Sequence, residues 1–305
     1  MRRTLLWAST HPWLASSLPR RRFVRRAVRR FMPGETLDEA LREAARLDER
    51  GIPAIVTMLG ENVTSLEETS SVAEEYVEAL ERASAGELDV EISLKPTHLG
   101  LELDPAATRE HIAALARRSR ERGTVWIDME GSAYTDATLE LFESLRGEHE
   151  NVGVCLQAYL HRTPDDLDRL LPTDPRIRLV KGAYAEPPEI ALTAKRDVDA
   201  SYLDLGRRLL GHLAADRKGF LALGTHDPAM IRPLAGEARE AGLDGDRFEV
   251  EMLYGIGQRE QERLVREGIP LRVLISYGEA WFPWYMRRLA ERPANVWFVV
   301  RSLFR

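Results

Sequence analysis

The sequence predicts an α/β chain folded as a (β/α)8 barrel of the TIM type, preceded by an N-terminal helical arm. Three observations predict it. Eight short β-rich runs, nearly continuous in apolar residues, follow one another between residues 53 and 277. Amphipathic helical stretches with their own start signals separate them, an alternation that implies a parallel sheet covered by helices. Eight such units in about 255 residues match the size of one closed barrel. A doubly wound sheet competes with this reading, but no Gly-x-Gly-x-x-Gly follows the first run.

Taken in chain order, residues 1–50 read as the arm and residues 51–305 as the barrel. Residues 4–18 are moderately apolar and flanked by arginines, yet His11-Pro12 interrupts them and no small-x-small cleavage site follows, which argues against a signal peptide. Phe23, Val24, Ala27, Val28, Phe31 and Met32 then recur at helical spacing with arginines between them, giving a basic amphipathic helix. Two roles stand open for it: packing on the acidic body, and contact with anionic lipid. The strand runs are PAIVTML (53–59), VEISLK (90–95), VWIDM (125–129), VGVCLQAYL (152–160), IRLVKG (177–182), FLALGT (220–225), FEVEMLY (248–254) and LRVLISY (271–277). Asp104-Pro105, Thr163-Pro164 and Asp227-Pro228 open helices between them.

Composition narrows the function classes. The chain has 305 residues, 44% of them hydrophobic, enough to bury a sizeable core. One cysteine excludes a disulfide scaffold and a cysteine-rich metal site. No apolar run approaches the roughly 20 residues that span a bilayer. Residues 1–30 hold nine arginines and no acid, so the rest of the chain stands at −15 within a total of −6. An acidic body argues against nucleic acid as a partner. Only four basic residues are lysines, at 95, 181, 195 and 218.

In such a barrel the site lies where strands end and loops begin. Those positions hold Lys95 after the second run, Asp128 and Glu130 at the third, and Gln157 in the fourth. Arg178, Lys181 and Gly182 belong to the fifth, Thr225, His226 and Asp227 to the sixth, Glu251 to the seventh and Tyr277 to the eighth. Polar groups delivered to one rim by so many strands are costly to bury without a ligand. Lys95 and Lys181 stand out in a chain that otherwise prefers arginine, and a compact ammonium suits a ligand oxygen or ring nitrogen.

These residues also carry a resemblance. RLVKGAY (178–184), THD (225–227), VGVCLQAYL (152–160), IDMEGS (127–132) and RRLAERPANVWFVVRSL (287–303) are similar to the proline dehydrogenase family, as are LGENVTS (59–65) and SLKPTHLGLELD (93–104). The resemblance implies a distorted (β/α)8 barrel that binds FAD, oxidises L-proline to Δ1-pyrroline-5-carboxylate in the first step of proline catabolism, and passes electrons to a quinone. It implies a cytoplasmic protein, with peripheral contact to the inner face of the membrane through the arm as an open alternative.

Carried over residue by residue, the resemblance implies that Lys95, Asp128, Leu253, Leu274, Tyr277, Trp284, Arg287 and Arg288 line the substrate pocket. Met129, Gln157, Arg178, Val180, Lys181, Gly182, Ala183, Thr225 and His226 would hold FAD, with Asp128 and Arg178 as the catalytic pair. Adjacent arginines suit a bidentate carboxylate clamp, which assigns Arg287 and Arg288 to the carboxylate of the imino acid. Arg178 and Lys181 would stabilise negative charge on a reduced flavin. Asp128 would orient Lys95 or Arg178. Glu61 would pair with Arg287 as a gate; a glutamate at a helix N-terminus explains it equally well.

The chain departs from the family pattern around the substrate. Leu274 stands where the family has the first tyrosine of Tyr-x-Pro-Tyr-Gly, and Trp284 where it has the tyrosine before the paired arginines. Glu251 replaces a glutamine on the seventh strand and adds negative charge near the flavin or a neighbouring arginine. An analogue of proline as substrate, or a flavin-binding barrel with little catalysis, are therefore the alternatives. Two unrelated chemistries compete weakly. Lys181 is a candidate Schiff-base nucleophile. A metal site is not expected, because the seven histidines are scattered.

Overall fold

A computed structural model of the chain describes residues 31–119, 123–215 and 217–281. The basic stretch of the arm, Trp284, Arg287 and Arg288 lie outside the described residues. Eight parallel strands close on themselves in sequence order: β1 (Ala54–Met58), β2 (Val90–Leu94), β3 (Val125–Ile127), β4 (Val152–Gln157), β5 (Arg176–Val180), β6 (Phe220–Gly224), β7 (Phe248–Leu253) and β8 (Leu271–Tyr277), with β8 pairing back onto β1. The strands stop one to three residues short of several apolar runs, because Lys95, Asp128 and Lys181 already belong to the loops at the rim.

Helices surround the barrel: α1 (Leu37–Asp48), α2 (Leu66–Ala85), α3 (Pro105–Ser119), α4 (Thr135–Arg146), α5 (Thr163–Leu170), α6 (Lys195–Ala214), α7 (Pro228–Glu240) and α8 (Gln258–Arg266). Each expected proline start is where a helix begins or enters its first turn. Helix α1 is closed by a capping box between Thr36 and Glu39 and buries Leu37, Ala40, Leu41, Ala44 and Leu47 in the same core as the barrel. The core between helices and sheet is sealed by phenols as well as aliphatics. Tyr76 Oη donates to the Ser93 carbonyl at 3.0 Å and Tyr202 Oη to the Leu179 carbonyl at 3.1 Å.

The lumen is unusually charged. Along the strands alternate side chains point inward, and Ile55, Trp126, Phe220 and Ala222 form a small apolar cluster with Leu274 packed against it. Glu91, Glu249 and Glu251, also inward, bring carboxylate oxygens within 4.8 Å of one another. Arg272 Nε lies 3.2 Å from Glu249 and 3.7 Å from Glu91, and its Nη1 donates to Asp89 at 2.8 Å. Glu91 also accepts from the Trp126 indole at 2.7 Å and the Thr124 amide at 2.8 Å. The three acids are thus matched by guanidinium groups instead of forming a bare acidic cage.

These acids titrate in opposite directions. Burial alone would raise Glu91, but Arg272 and the Thr124 and Trp126 donors hold it below its usual range. Burial pushes Glu249 up to about 8, against the pull of Arg272. An acid whose folded pKa is raised binds its proton more tightly in the folded chain. Its contribution to stability is complete below the unfolded carboxylate range and is lost as pH rises through about 8, at about 1.4 kcal/mol per pKa unit of displacement. Glu249→Gln is therefore expected to flatten the fall in stability between about pH 5 and 8. Urea midpoints across that range check it; a parallel fall in both proteins would contradict the assignment.

Candidate active site

Loops leaving β2, β3, β5 and β6 assemble the mouth of the barrel. At its floor Arg178, on β5, is almost wholly enclosed. Its Nη1 donates to Asp128 Oδ1 at 2.9 Å and to Ser93 Oγ at 2.6 Å, while its Nε meets Glu251 Oε2 at 2.5 Å. The guanidinium stacks 4.5 Å from the Trp126 ring centroid. Burial works against the charged form, yet Glu251 and Asp128 more than offset it and raise the affinity of Arg178 for its proton. Asp128 therefore orients Arg178, one of the two partners expected for it. Ser93, which also donates to Asp128 at 2.8 Å, was not among the expected residues. Its place on β2, two residues before Lys95 at the rim, is the signal that identifies it.

Lys95, the other expected partner, turns to different groups. Its Nζ lies 3.6 Å from Glu61 Oε1 and donates to the Gly60 carbonyl at 3.5 Å. Glu61 thus sits against Lys95, and its expected gate partner Arg287 lies outside the described residues. His98 packs beside this pair; burial first, then the Lys95 charge, push it down to about 4, so it is a neutral imidazole at physiological pH. Glu130 accepts from the Thr97 amide at 3.0 Å and hydroxyl at 2.7 Å.

Across the mouth Lys181 Nζ donates to Asp199 Oδ1 at 2.5 Å and Asp227 Oδ2 at 2.8 Å, and Lys195 closes the same network. Desolvation opposes ionisation of both aspartates, but the hydrogen bonds from the lysines outweigh it and lower their pKa values. Asp227 also caps α7 by accepting from the Ala229 amide at 3.1 Å. Asp199 was missed because it lies on a helix, four residues after Lys195, and not on a strand end. Two carboxylates on Lys181 are unlike the apolar pocket that activates a lysine nucleophile, which removes the ground for Schiff-base chemistry.

The remaining candidates are arranged around the same opening. Gln157 joins two loops, donating to the Glu130 carbonyl at 2.9 Å and accepting from the Ala183 amide at 3.4 Å. Gly182 has φ +114°, and a methyl group there would run into the Tyr159 ring, so only glycine lets the chain turn this closely. Thr225 Oγ1 accepts from the Asp227 amide at 3.2 Å, and His226 Nε2 accepts from the Leu253 amide at 3.3 Å. Val180, Ala183, Leu253 and Leu274 are half-buried at or below the opening. Met129 buries its side chain in the core behind the sheet, which leaves its main chain to offer a ligand.

Tyr277 requires a correction. The alternation that points Arg272, Leu274 and Ser276 inward sends Tyr277 outward, where it is fully buried against α2 beside Glu75 and Tyr76. It does not line the pocket.

The mouth fits a bound flavin on two observations. Arg178 Nη2 and Ser276 Oγ are buried and make no hydrogen bond among the described residues, so donors await a partner there. The tight turn at Gly182 leaves the main chain of residues 181–183 able to approach a ligand closely.

Comparison with known proteins gives the same answer along the length of the chain. Residues 40–301 match the family described as "Proline dehydrogenase". The chain is 35% identical over 282 residues to proline dehydrogenase 1 of Bacillus subtilis subsp. natto, covering 92% of each. It is 34% identical to the proline dehydrogenase of Deinococcus radiodurans, covering 90% of this chain and 89% of that one. A crystal structure of proline utilization A from Bdellovibrio bacteriovorus, inactivated by N-propargylglycine, superposes with a TM-score of 0.79 at 25% identity, over 88% of this chain and 33% of that longer one. With the match running through the whole barrel, the chain belongs to the proline dehydrogenase family, oxidoreductases that act on CH–NH donors.

Proposed function

We propose that the chain oxidises L-proline to Δ1-pyrroline-5-carboxylate with FAD as cofactor and a quinone as electron acceptor. The observation that supports this reading most is the buried Arg178 at the floor of the mouth, paired with Asp128, Ser93 and Glu251, whose Nη2 has neither an ion pair nor a hydrogen bond among the described residues. A bound FAD supplies the two-electron acceptor for the hydride that the ring carbon loses. Arg178 and Lys181 place cationic groups where negative charge would grow. Gln157, Val180, Gly182, Ala183, Thr225, His226 and the main chain of Met129 hold the cofactor in this reading. Lys95, Leu253 and Leu274 bound the substrate, and Arg287 and Arg288 take its carboxylate. Glu61, already against Lys95, is available to a gate formed with Arg287.

The reading is tested by incubating FAD-loaded protein with L-proline and a soluble quinone. The expected product is two hydrogens lighter than proline, formed together with the quinol. Neither product forming would contradict it.

A proline analogue as preferred substrate is favoured by one observation: the middle inward position of β8 is Leu274, an apolar side chain packed toward Ile55 and Trp126. If pocket shape is the cause, Leu274→Tyr with Trp284→Tyr is expected to raise proline turnover. An unchanged kcat/KM for proline in the double variant would remove that explanation.

Among the described residues no helix is long and apolar enough to cross a membrane. In this proposal the basic arm provides contact with an anionic membrane surface. Deleting residues 1–32 is then expected to abolish sedimentation with anionic liposomes at low salt. Equal sedimentation of both proteins would remove this role.

A further inference from the structure

The Arg178 guanidinium is held from two sides by acids of different origin. Asp128, on the loop after β3, takes Nη1 together with Ser93, and Glu251, on β7, takes Nε at 2.5 Å. Glu251 is itself enclosed, and its second oxygen makes no hydrogen bond among the described residues. Its one ion pair among the described residues is with Arg178, while the charges of Glu91 and Arg272 also act on it. Burial raises the pKa of Glu251 and the Arg178 charge opposes that rise; with both carboxylates ionised the group has a local charge of −1, whereas a neutral side chain at 251 would leave it neutral. In a water-poor lumen that difference is weakly screened and acts on any ligand at the mouth.

We propose that Glu251 is a positioning residue that fixes the Arg178 guanidinium between two carboxylates, leaves Nη2 with neither an ion pair nor a hydrogen bond among the described residues, and lowers the electron affinity of FAD bound above it. This rests on the reading of the mouth as a flavin site. A ring that gains two electrons becomes more negative, and Arg178 offset by two acids stabilises that charge less than Arg178 offset by one. Glu251 thus sets how readily electrons arrive from the substrate and how readily they leave for the acceptor. The carboxylate acts through Arg178 and does not touch the substrate.

The test compares FAD-loaded wild type with Glu251→Gln, which keeps the shape beside Arg178 Nε and removes the charge. Two readouts are independent of turnover: the flavin midpoint potential, by anaerobic equilibration with a reference dye, and the dissociation constant for sulfite, which adds to oxidised flavin and leaves a negative charge on it. Glu251→Gln is expected to shift the reduced-to-oxidised equilibrium about tenfold toward reduced flavin, ~30 mV upward for a two-electron couple. It is expected to tighten sulfite binding by a similar factor. Glu251→Met, a second neutral variant, shifts both in the same direction, and Glu251→Asp stays within about threefold of wild type.

FAD uptake with an unshifted potential and sulfite affinity in the neutral variants overturns this inference alone. So does a shift of the same size in Glu251→Asp, which would point to packing and not charge. A wild-type chain that takes up no FAD overturns the reading of the site and this inference with it.

Discussion

Replacing Arg178 with methionine is expected to cost the barrel about 3–5 kcal/mol and to abolish stable FAD uptake. The substitution preserves bulk against Trp126 but leaves Asp128 and Glu251 facing each other in the lumen without their cation. Removing one partner of a buried pair costs this much because the charge left behind has lost both water and its counterion. Denaturant unfolding checks the first part, through a lower midpoint at unchanged m; flavin absorbance after gel filtration checks the second. A variant as stable as wild type would mean that the triad is not ionised as described. A destabilised variant that still holds FAD would separate the structural role of Arg178 from its place in the site.

Arg272→Met is expected to cost a similar about 3–5 kcal/mol and yet to leave FAD uptake intact. Arg272 is the counterion of the buried Glu91 and Glu249 and of the half-exposed Asp89 just before β2. Its loss strands carboxylates that have no part in the mouth. Two buried arginines with comparable partners differ in function because only Arg178 lies at the floor of the mouth. Unfolding midpoints and bound-flavin absorbance, measured side by side, check it. Loss of flavin from Arg272→Met at temperatures where the variant is folded would show that the two charge clusters act as one.

The fold was legible in the sequence because a parallel barrel writes a simple pattern, eight apolar runs between capped helices. Pro105, Pro164 and Pro228 marked helix starts through their fixed φ, and the structure begins its helices there. The rim residues were legible for the same reason, since Lys95, Asp128 and Lys181 end apolar runs. What was not legible was partnership. Nothing in the order of residues says that Asp128 takes Arg178 and leaves Lys95 to Glu61, because pairing across a barrel depends on strand stagger. Asp199 reaches Lys181 from a helix, and Ser93 is too small and common a residue to stand out. Tyr277 was misplaced by taking a strand-end position as an inward one, when the two-residue period of β8 turns it outward. Glu251 was recognised as an acid near an arginine; only the structure identifies that arginine as Arg178 and shows it already held by Asp128.

If the mouth holds FAD and proline reduces it, an anaerobic titration of the FAD-loaded protein with L-proline, followed by flavin absorbance, will show it. The oxidised-flavin bands are expected to bleach with L-proline and to return when a quinone is admitted. Bands that persist through a saturating excess of L-proline, in protein shown to hold FAD, would contradict it.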